Sequence, residues 1–212
     1  YKRQGDFYDV LRHSDGRVDV VVADVAGKGF AASLIMASVK AMLPFVTAEY
    51  GVAESLAQLN SRLTEELGRG EFVALTLVRY DPASEHVELA NAGAPDPYLL
   101  APGQPAEALS VPGPRLPLGV RKDVAYASRT APLGTDDRLL LLTDGLPEAR
   151  DESGDPMGYG TLESMISEQP LAGEPSSWLA GLFDRVQKRS ARAPEDDWTA
   201  ALLVPREVEE EA

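Results

Sequence analysis

Along the chain, stretches in which apolar residues alternate or run together mark strands, and stretches with apolar residues three and four apart mark helices. Residues 6–11 predict a first strand, and Ser14-Asp15-Gly16-Arg17 supplies a tight turn into the apolar run 18–25, so a hairpin opens the chain. After Gly27-Lys28-Gly29, residues 30–48 carry Ile35, Val39, Met42 and Val46 at helical spacing, with Pro44 expected to kink the helix. A second helix is expected over 52–67. Two β-branched or aromatic-rich runs, 72–80 and 86–92, are joined by the turn Asp81-Pro82. Residues 93–117 hold Pro and Gly in excess around one short strand at 97–100, and read as a loop-rich stretch rather than an interdomain linker. Strands resume at 124–130 and 138–143, helices at 161–168 and 176–190, and a last strand at 198–204 precedes an acidic tail at 206–212. Strands and helices that cluster, with hairpin turns between strands, argue an α+β layered domain of antiparallel sheets. The continuous apolar runs Val20-Val21-Val22-Ala23 and Leu139-Leu140-Leu141-Leu142 imply sheets covered on both faces.

Composition narrows the function. The 212 residues include 34 acidic and 20 basic side chains, a net charge of −14, and no cysteine. Such a charge repels nucleic-acid phosphates, so nucleic acid is not expected as a partner. Without cysteine there is no disulfide framework, no thiolate metal site and no cysteine nucleophile, which excludes a cysteine-dependent phosphatase or protease. No window approaches the ~18 uninterrupted apolar residues of a membrane span and no secretory signal opens the chain, so a cytoplasmic protein without membrane contact is expected. The chain begins at Tyr1 rather than Met, which suggests a piece of a longer protein with its missing part upstream.

Carboxylates recur at the ends of the expected strands. Asp6 follows Gly5, Asp24 ends the run 20–23, Asp144 ends 139–143, and the pair Asp196-Asp197 precedes Trp198 and the last strand. For any one of them a turn or helix-cap role is the simpler account. Four such positions could meet at one sheet edge, where like charges need a counter-ion. Oxygen donors, no cysteine and only two histidines point to a hard ion, Mg²⁺ or Mn²⁺. Asp9 either approaches such a site or faces solvent. Gly27-Lys28-Gly29 lacks the spacing of a nucleotide-binding loop and reads as a strand-to-helix turn that lets backbone carbonyls approach a metal. His13 and His86 are expected to be exposed and without a role.

The ordered set Gly5-Asp6-Phe7-Tyr8-Asp9, Asp24-Val25-Ala26-Gly27-Lys28-Gly29, Asn91-Ala92-Gly93, Pro117-Leu118-Gly119, Thr143-Asp144-Gly145-Leu146-Pro147-Glu148-Ala149 and Asp196-Asp197-Trp198-Thr199 resembles the bacterial metal-dependent serine/threonine phosphatases of the type 2C-like class. The branch is that of stage II sporulation protein E and the stress-response sigma-regulator phosphatases, and the resemblance covers nearly the whole chain. It implies a four-layer α-β-β-α sandwich of two mostly antiparallel sheets, with residues 1–205 as the phosphatase domain. It also implies two Mn²⁺ or Mg²⁺ ions: Asp24 bridging both, the Val25 carbonyl and Asp6 on one, and Asp144 and Asp196 on the other with Asp197 beside it. Water activated by the ion pair would attack phosphorus without a covalent phosphoenzyme. Implied partners are a phosphorylated anti-sigma-factor antagonist as substrate, an upstream sensor domain, and a second copy in a homodimer. The helices after Asp24 become carriers of a regulatory signal. Two departures stand out. Eukaryotic relatives carry His two residues after the bridging Asp, where this chain has Ala26, and the branch usually reads Asn-Ala-Gly-His where this chain has Asn91-Ala92-Gly93-Ala94. Lys2 and Arg3 either touch the substrate phosphate or form an exposed basic end. A catalytically silent member that binds the antagonist remains the alternative.

Overall fold

The structure, a computed structural model, describes residues 5–27, 29–190 and 197–205. The opening hairpin is β1 (Phe7–Arg12) and β2 (Val18–Val25), followed by α1 (Phe30–Glu49) and α2 (Val52–Glu66). Next come β3 (Val73–Asp81), β4 (His86–Ala92), β5 (Tyr98–Leu100), β6 (Glu107–Ala108), β7 (Arg129–Pro132) and β8 (Arg138–Leu142). The chain closes with α3 (Tyr159–Glu168), α4 (Pro175–Arg189) and β9 (Ala200–Leu203). One sheet has the order β1-β2-β3-β4-β7 and the other β6-β5-β8-β9. Every strand pair is antiparallel.

Strand alternation sorts the side chains into three cores. Val21, Ala23 and Val25 of β2 meet Ile35 and Val39 of α1 and Leu56 and Leu59 of α2. Their neighbours Val20 and Val22 turn the other way and meet Leu139 and Leu141 of β8 between the sheets. Leu140 and Leu142 then face α3 and α4, against Leu162, Trp178 and Leu182. Three cores separating helices, sheet, sheet and helices make the four-layer α-β-β-α sandwich, and the continuous apolar strands are those covered on both faces.

α1 is held to the first sheet by a buried ion pair. Arg79 of β3 donates from Nε and Nη2 to the two carboxylate oxygens of Asp19 at 2.7 and 2.8 Å, and from its Nη atoms to the carbonyls of Thr47 and Tyr50 at the end of α1. His13 joins them, Nε2 at 2.7 Å from Asp19 Oδ2 with its side chain 11% exposed. The expectation of an exposed, idle His13 is therefore corrected: the β1–β2 turn folds it over the otherwise buried Asp19. His86 is exposed, as expected.

Two further differences have local causes. The strand expected at 124–130 begins only at Arg129, because Val124 and Tyr126 are anchored in the α1–α2 core without strand partners, and Tyr126 donates its hydroxyl to the Leu116 carbonyl at 2.8 Å. α1 is also long and apolar enough, by length and composition alone, to cross a membrane; 28% of the qualifying window is buried, on the face that carries Ile35, Val39 and Leu43 into the core.

Candidate metal centre

Register decides which carboxylates meet. In the opening hairpin Phe7 pairs with Ala23, so the next rung sets Asp6 across from Asp24, and the Val25 N–H donates to the Gly5 carbonyl at 3.2 Å. Phe7 and Ala23 face the α1–α2 core. Asp6 and Asp24 therefore point toward the second sheet, with β-carbons of directly opposed residues about 5 Å apart. Their carboxyls are in hydrogen-bond contact.

The second sheet supplies the opposite wall. Leu139 and Leu141 of β8 and Ala201 and Leu203 of β9 face the space between the sheets, and the same parity turns Thr143 and Thr199 toward Asp6. Thr143 Oγ1 donates to Asp6 Oδ2 at 2.6 Å, and the Thr143 N–H donates to the Thr199 carbonyl at 3.0 Å. Trp198 turns to the helix side, its ring stacked on Phe183 of α4 with centroids 6.4 Å apart. Asp197 is left on the side of Asp6 and opposes its charge. Burial pushes the Asp6 carboxyl above its ordinary range, hydrogen bonds from Thr143, Thr199 and Asp24 pull it back, and the Asp197 charge raises it again.

Two glycines permit the close approaches. A β-carbon on Gly5 would lie 2.7 Å from the Val25 carbonyl oxygen and 3.0 Å from Asp24 Oδ1, filling the space in front of both. Gly145 is buried, and a β-carbon there would collide with the carbonyl oxygen of Asp197. Backbone cannot yield as a flexible side chain can, so Gly145→Ala is expected to lower stability by about 2 kcal/mol, read as a fall in the midpoint of thermal unfolding. An unchanged midpoint would show that the Asp144 turn and Asp197 do not pack as described.

Asp144, half-buried, heads a turn in which the Glu148 N–H donates to its carbonyl at 2.9 Å. The hydroxyl of Tyr159, at the start of α3, is pushed up by burial and then by the charges of Asp144 and Glu148, so this half-exposed ring stands on the rim beside them. Asp9 pairs with Lys40 of α1 at 3.3 Å. Asp196 lies outside the described residues, as do Lys2, Arg3 and Lys28. Among the described residues no three carboxylates or imidazoles are gathered closely enough to cage an ion. The donors that do converge suit a hard divalent cation: two touching carboxyls, a third like charge nearby and an open backbone carbonyl, all oxygen.

A cleft of about 730 Å³ opens beside these residues, lined by Asp6 and Tyr8 of the first sheet's edge and by Trp198 and Thr199 before β9. The loop after β4 closes without a histidine. Asn91 Oδ1 accepts the Ala94 N–H at 3.0 Å, Asn91 Nδ2 donates to the Ala94 carbonyl at 2.9 Å, and Arg115, paired with Asp96, donates to the same carbonyl at 3.1 Å. Thr143 and Thr199 escaped the reading of acids alone; their signal is parity with the inward-facing strand residues on either side.

The chain matches the family described as Stage II sporulation protein E (SpoIIE) over residues 14–205. It belongs to the SpoIIE family. Among SpoIIE-family relatives, the phosphoserine phosphatase RsbU of Bacillus subtilis (strain 168) is 25% identical over 202 residues, covering 94% of this chain and 58% of its own length. The chain thus spans little more than half of that relative. In fold it is similar to the SiaA-PP2C domain of Pseudomonas aeruginosa, with a TM-score of 0.82 at 21% identity, covering 96% of this chain and 82% of that one. It is also similar to the PP2C phosphatase domain of SpoIIE from Bacillus subtilis, solved with a fragment of its regulatory domain, with a TM-score of 0.80 at 16% identity, covering 95% and 58%.

Proposed function

We propose that this SpoIIE-family chain is a metal-dependent protein phosphatase that hydrolyses phosphoserine or phosphothreonine, in the cytoplasm, on a small antagonist of an anti-sigma factor. The observation that carries the reading is the cross-strand pair Asp6 and Asp24, turned inward and touching, with Thr143 donating to Asp6 at 2.6 Å. In this reading Asp6, Asp24 and the Val25 carbonyl would hold one Mn²⁺ or Mg²⁺ ion, and Asp24, Asp144 and Asp196, with Asp197 beside them, would hold a second. Two such ions supply charge that offsets the phosphoryl oxygens and makes the attacking water more acidic.

The chain's own residues hold that arrangement. Thr143 fixes the Asp6 carboxyl, and its hydrogen bond works against the rise in pKa that burial causes. The cleft along β1 and β9 offers an extended phosphopeptide a wall that ends at Asp6. Ala26 has no group that could protonate the leaving serine oxygen. In the same reading residues 1–205 are the phosphatase domain of a longer protein with a sensor upstream; the acidic tail 206–212 lies outside the described residues.

A silent antagonist-binding module would draw its support from Ala94 standing where the branch has His. Asn91 already closes that loop with three hydrogen bonds, so its shape does not depend on an imidazole. The test is phosphate release from a phosphoserine peptide by the purified chain with Mn²⁺ and with EDTA. Release with Mn²⁺ alone supports the phosphatase; none, with the peptide still bound, supports the module. Thr143→Val removes the hydroxyl that orients Asp6, and groups of that kind are worth about 10-fold or more in metal affinity. The concentration of Mn²⁺ giving half-maximal activity is expected to rise by that factor.

A further inference from the structure

The second sheet has a cavity at the end away from the acids. It measures about 990 Å³, against about 730 Å³ for the cleft beside Asp6. Pro102 and Pro105 of the β5–β6 turn, Leu171 of the α3–α4 loop and Val204 after β9 give it apolar walls. Arg138, the first residue of β8, lines it as well. Thr143, the residue that meets Asp6, follows the far end of the same strand, about 17 Å away at the rise of an extended chain. A ligand in the cavity therefore leaves the cleft at Asp6 open.

Arg138 is 9% exposed, and burial cannot remove its charge because a guanidinium does not give up its proton. Its Nη2 donates to the Gly173 carbonyl at 3.0 Å, its Nη1 is buried without a hydrogen bond, and among the described residues no carboxylate pairs with it. The buried Arg79, by contrast, has the Asp19 carboxylate and two carbonyls around it. A buried charge with one carbonyl for a partner is costly until an anion completes it.

We propose that this cavity binds a small carboxylic acid with an apolar body, its carboxylate on Arg138. A carboxylate is planar, matches the guanidinium fork and carries the single charge that one arginine balances. A phosphate dianion would leave charge in excess beside Asp136 and Glu168, which also line the cavity. Glu168 is itself neutralised by Arg185 at 2.7 Å, and Asp136 is exposed to water. The prolines, Leu171 and Val204 suit the apolar body. Gln169 adds a choice between two kinds of acid. Its Nε2 donates to the Trp178 carbonyl at 2.6 Å and its Oε1 is buried without a partner. Oε1 and Asp136 would both accept from an ammonium group next to the carboxylate, so an α-amino acid fits as well as a simple acid. This inference does not rest on the phosphatase reading.

The test is a calorimetric titration of the purified chain, at constant ionic strength, with isocaproate, L-leucine, isocaproamide and sulfate. The two carboxylates are expected to bind with a dissociation constant on the order of 1 mM, the range open to ligands this small, and to raise the midpoint of thermal unfolding. Isocaproamide has the shape without the charge and sulfate the charge without the body, and both are expected to bind at least about 10-fold more weakly. Tighter binding of L-leucine than of isocaproate identifies an amino acid as the source of the carboxylate, and the reverse identifies a simple acid. Arg138→Met is expected to abolish binding, while the free variant unfolds at a temperature no lower than wild type; an arginine kept for structure would lower it. Ala172→Trp, at the exposed mouth, keeps the guanidinium and is expected to weaken binding by at least about 10-fold. Equal binding of isocaproate and isocaproamide, sulfate bound as tightly as either acid, no binding of either acid at several tens of millimolar, or undiminished binding in Arg138→Met would overturn the site.

Discussion

Replacing Asp24 by Ala is expected to lower kcat/KM on a phosphoserine peptide by at least about 10³-fold, which corresponds to about 4 kcal/mol of transition-state stabilisation. The argument is one of position. Asp24 is the inward-facing carboxylate at the end of β2, next to the Val25 carbonyl that Gly5 leaves open and in contact with Asp6 across the hairpin. It is the residue from which both ions of the proposed pair could be reached. The same change removes one of two touching carboxyls, so without metal the variant is expected to unfold at a temperature no lower than wild type. Loss of activity with intact stability separates a ligand from a structural residue. A variant that keeps a tenth of the wild-type rate would remove Asp24 from the centre.

Arg79→Met is expected to cost about 3–5 kcal/mol of stability, because it strands Asp19, fully buried in β2, with only His13 as partner. It also frees the Thr47 and Tyr50 carbonyls at the end of α1. Urea denaturation gives the number through the midpoint at unchanged slope. Asp19→Leu combined with Arg79→Met is expected to recover much of the loss, since a buried pair replaced by apolar groups is often neutral. A loss under 1 kcal/mol for Arg79→Met alone would mean that water reaches Asp19.

The strand 18–25 was legible because its apolar run is bounded by a turn on one side and glycines on the other, and the structure keeps the same limits. The helices after it were legible from spacing alone. The stretch 124–130 misled because alternating apolar residues can also anchor an unpaired segment, as Val124 and Tyr126 do. Glu107–Ala108 is too short to leave a periodic signal. At the site, the acids stood out by their place at strand ends, but their mutual orientation depends on pairing between distant segments. The 6–24 register comes from the hairpin and was within reach of the sequence. The meeting of Thr143 with Asp6, 137 residues apart, depends on the packing of one sheet on the other, which no local pattern encodes. The same holds for His13, whose partner Asp19 lies on β2, an interior strand between β1 and β3.

The most direct test measures metal and turnover on one preparation. Mn²⁺ is titrated calorimetrically into the purified chain and into Asp24→Ala, and phosphate release from a phosphoserine peptide is followed at each point of the titration. The expected result is two ions per wild-type chain, with release rising as they bind and abolished by EDTA, and neither full occupancy nor release in the variant. Release that persists in EDTA, or that proceeds in Asp24→Ala at the wild-type rate, would contradict a two-ion centre built on Asp6 and Asp24.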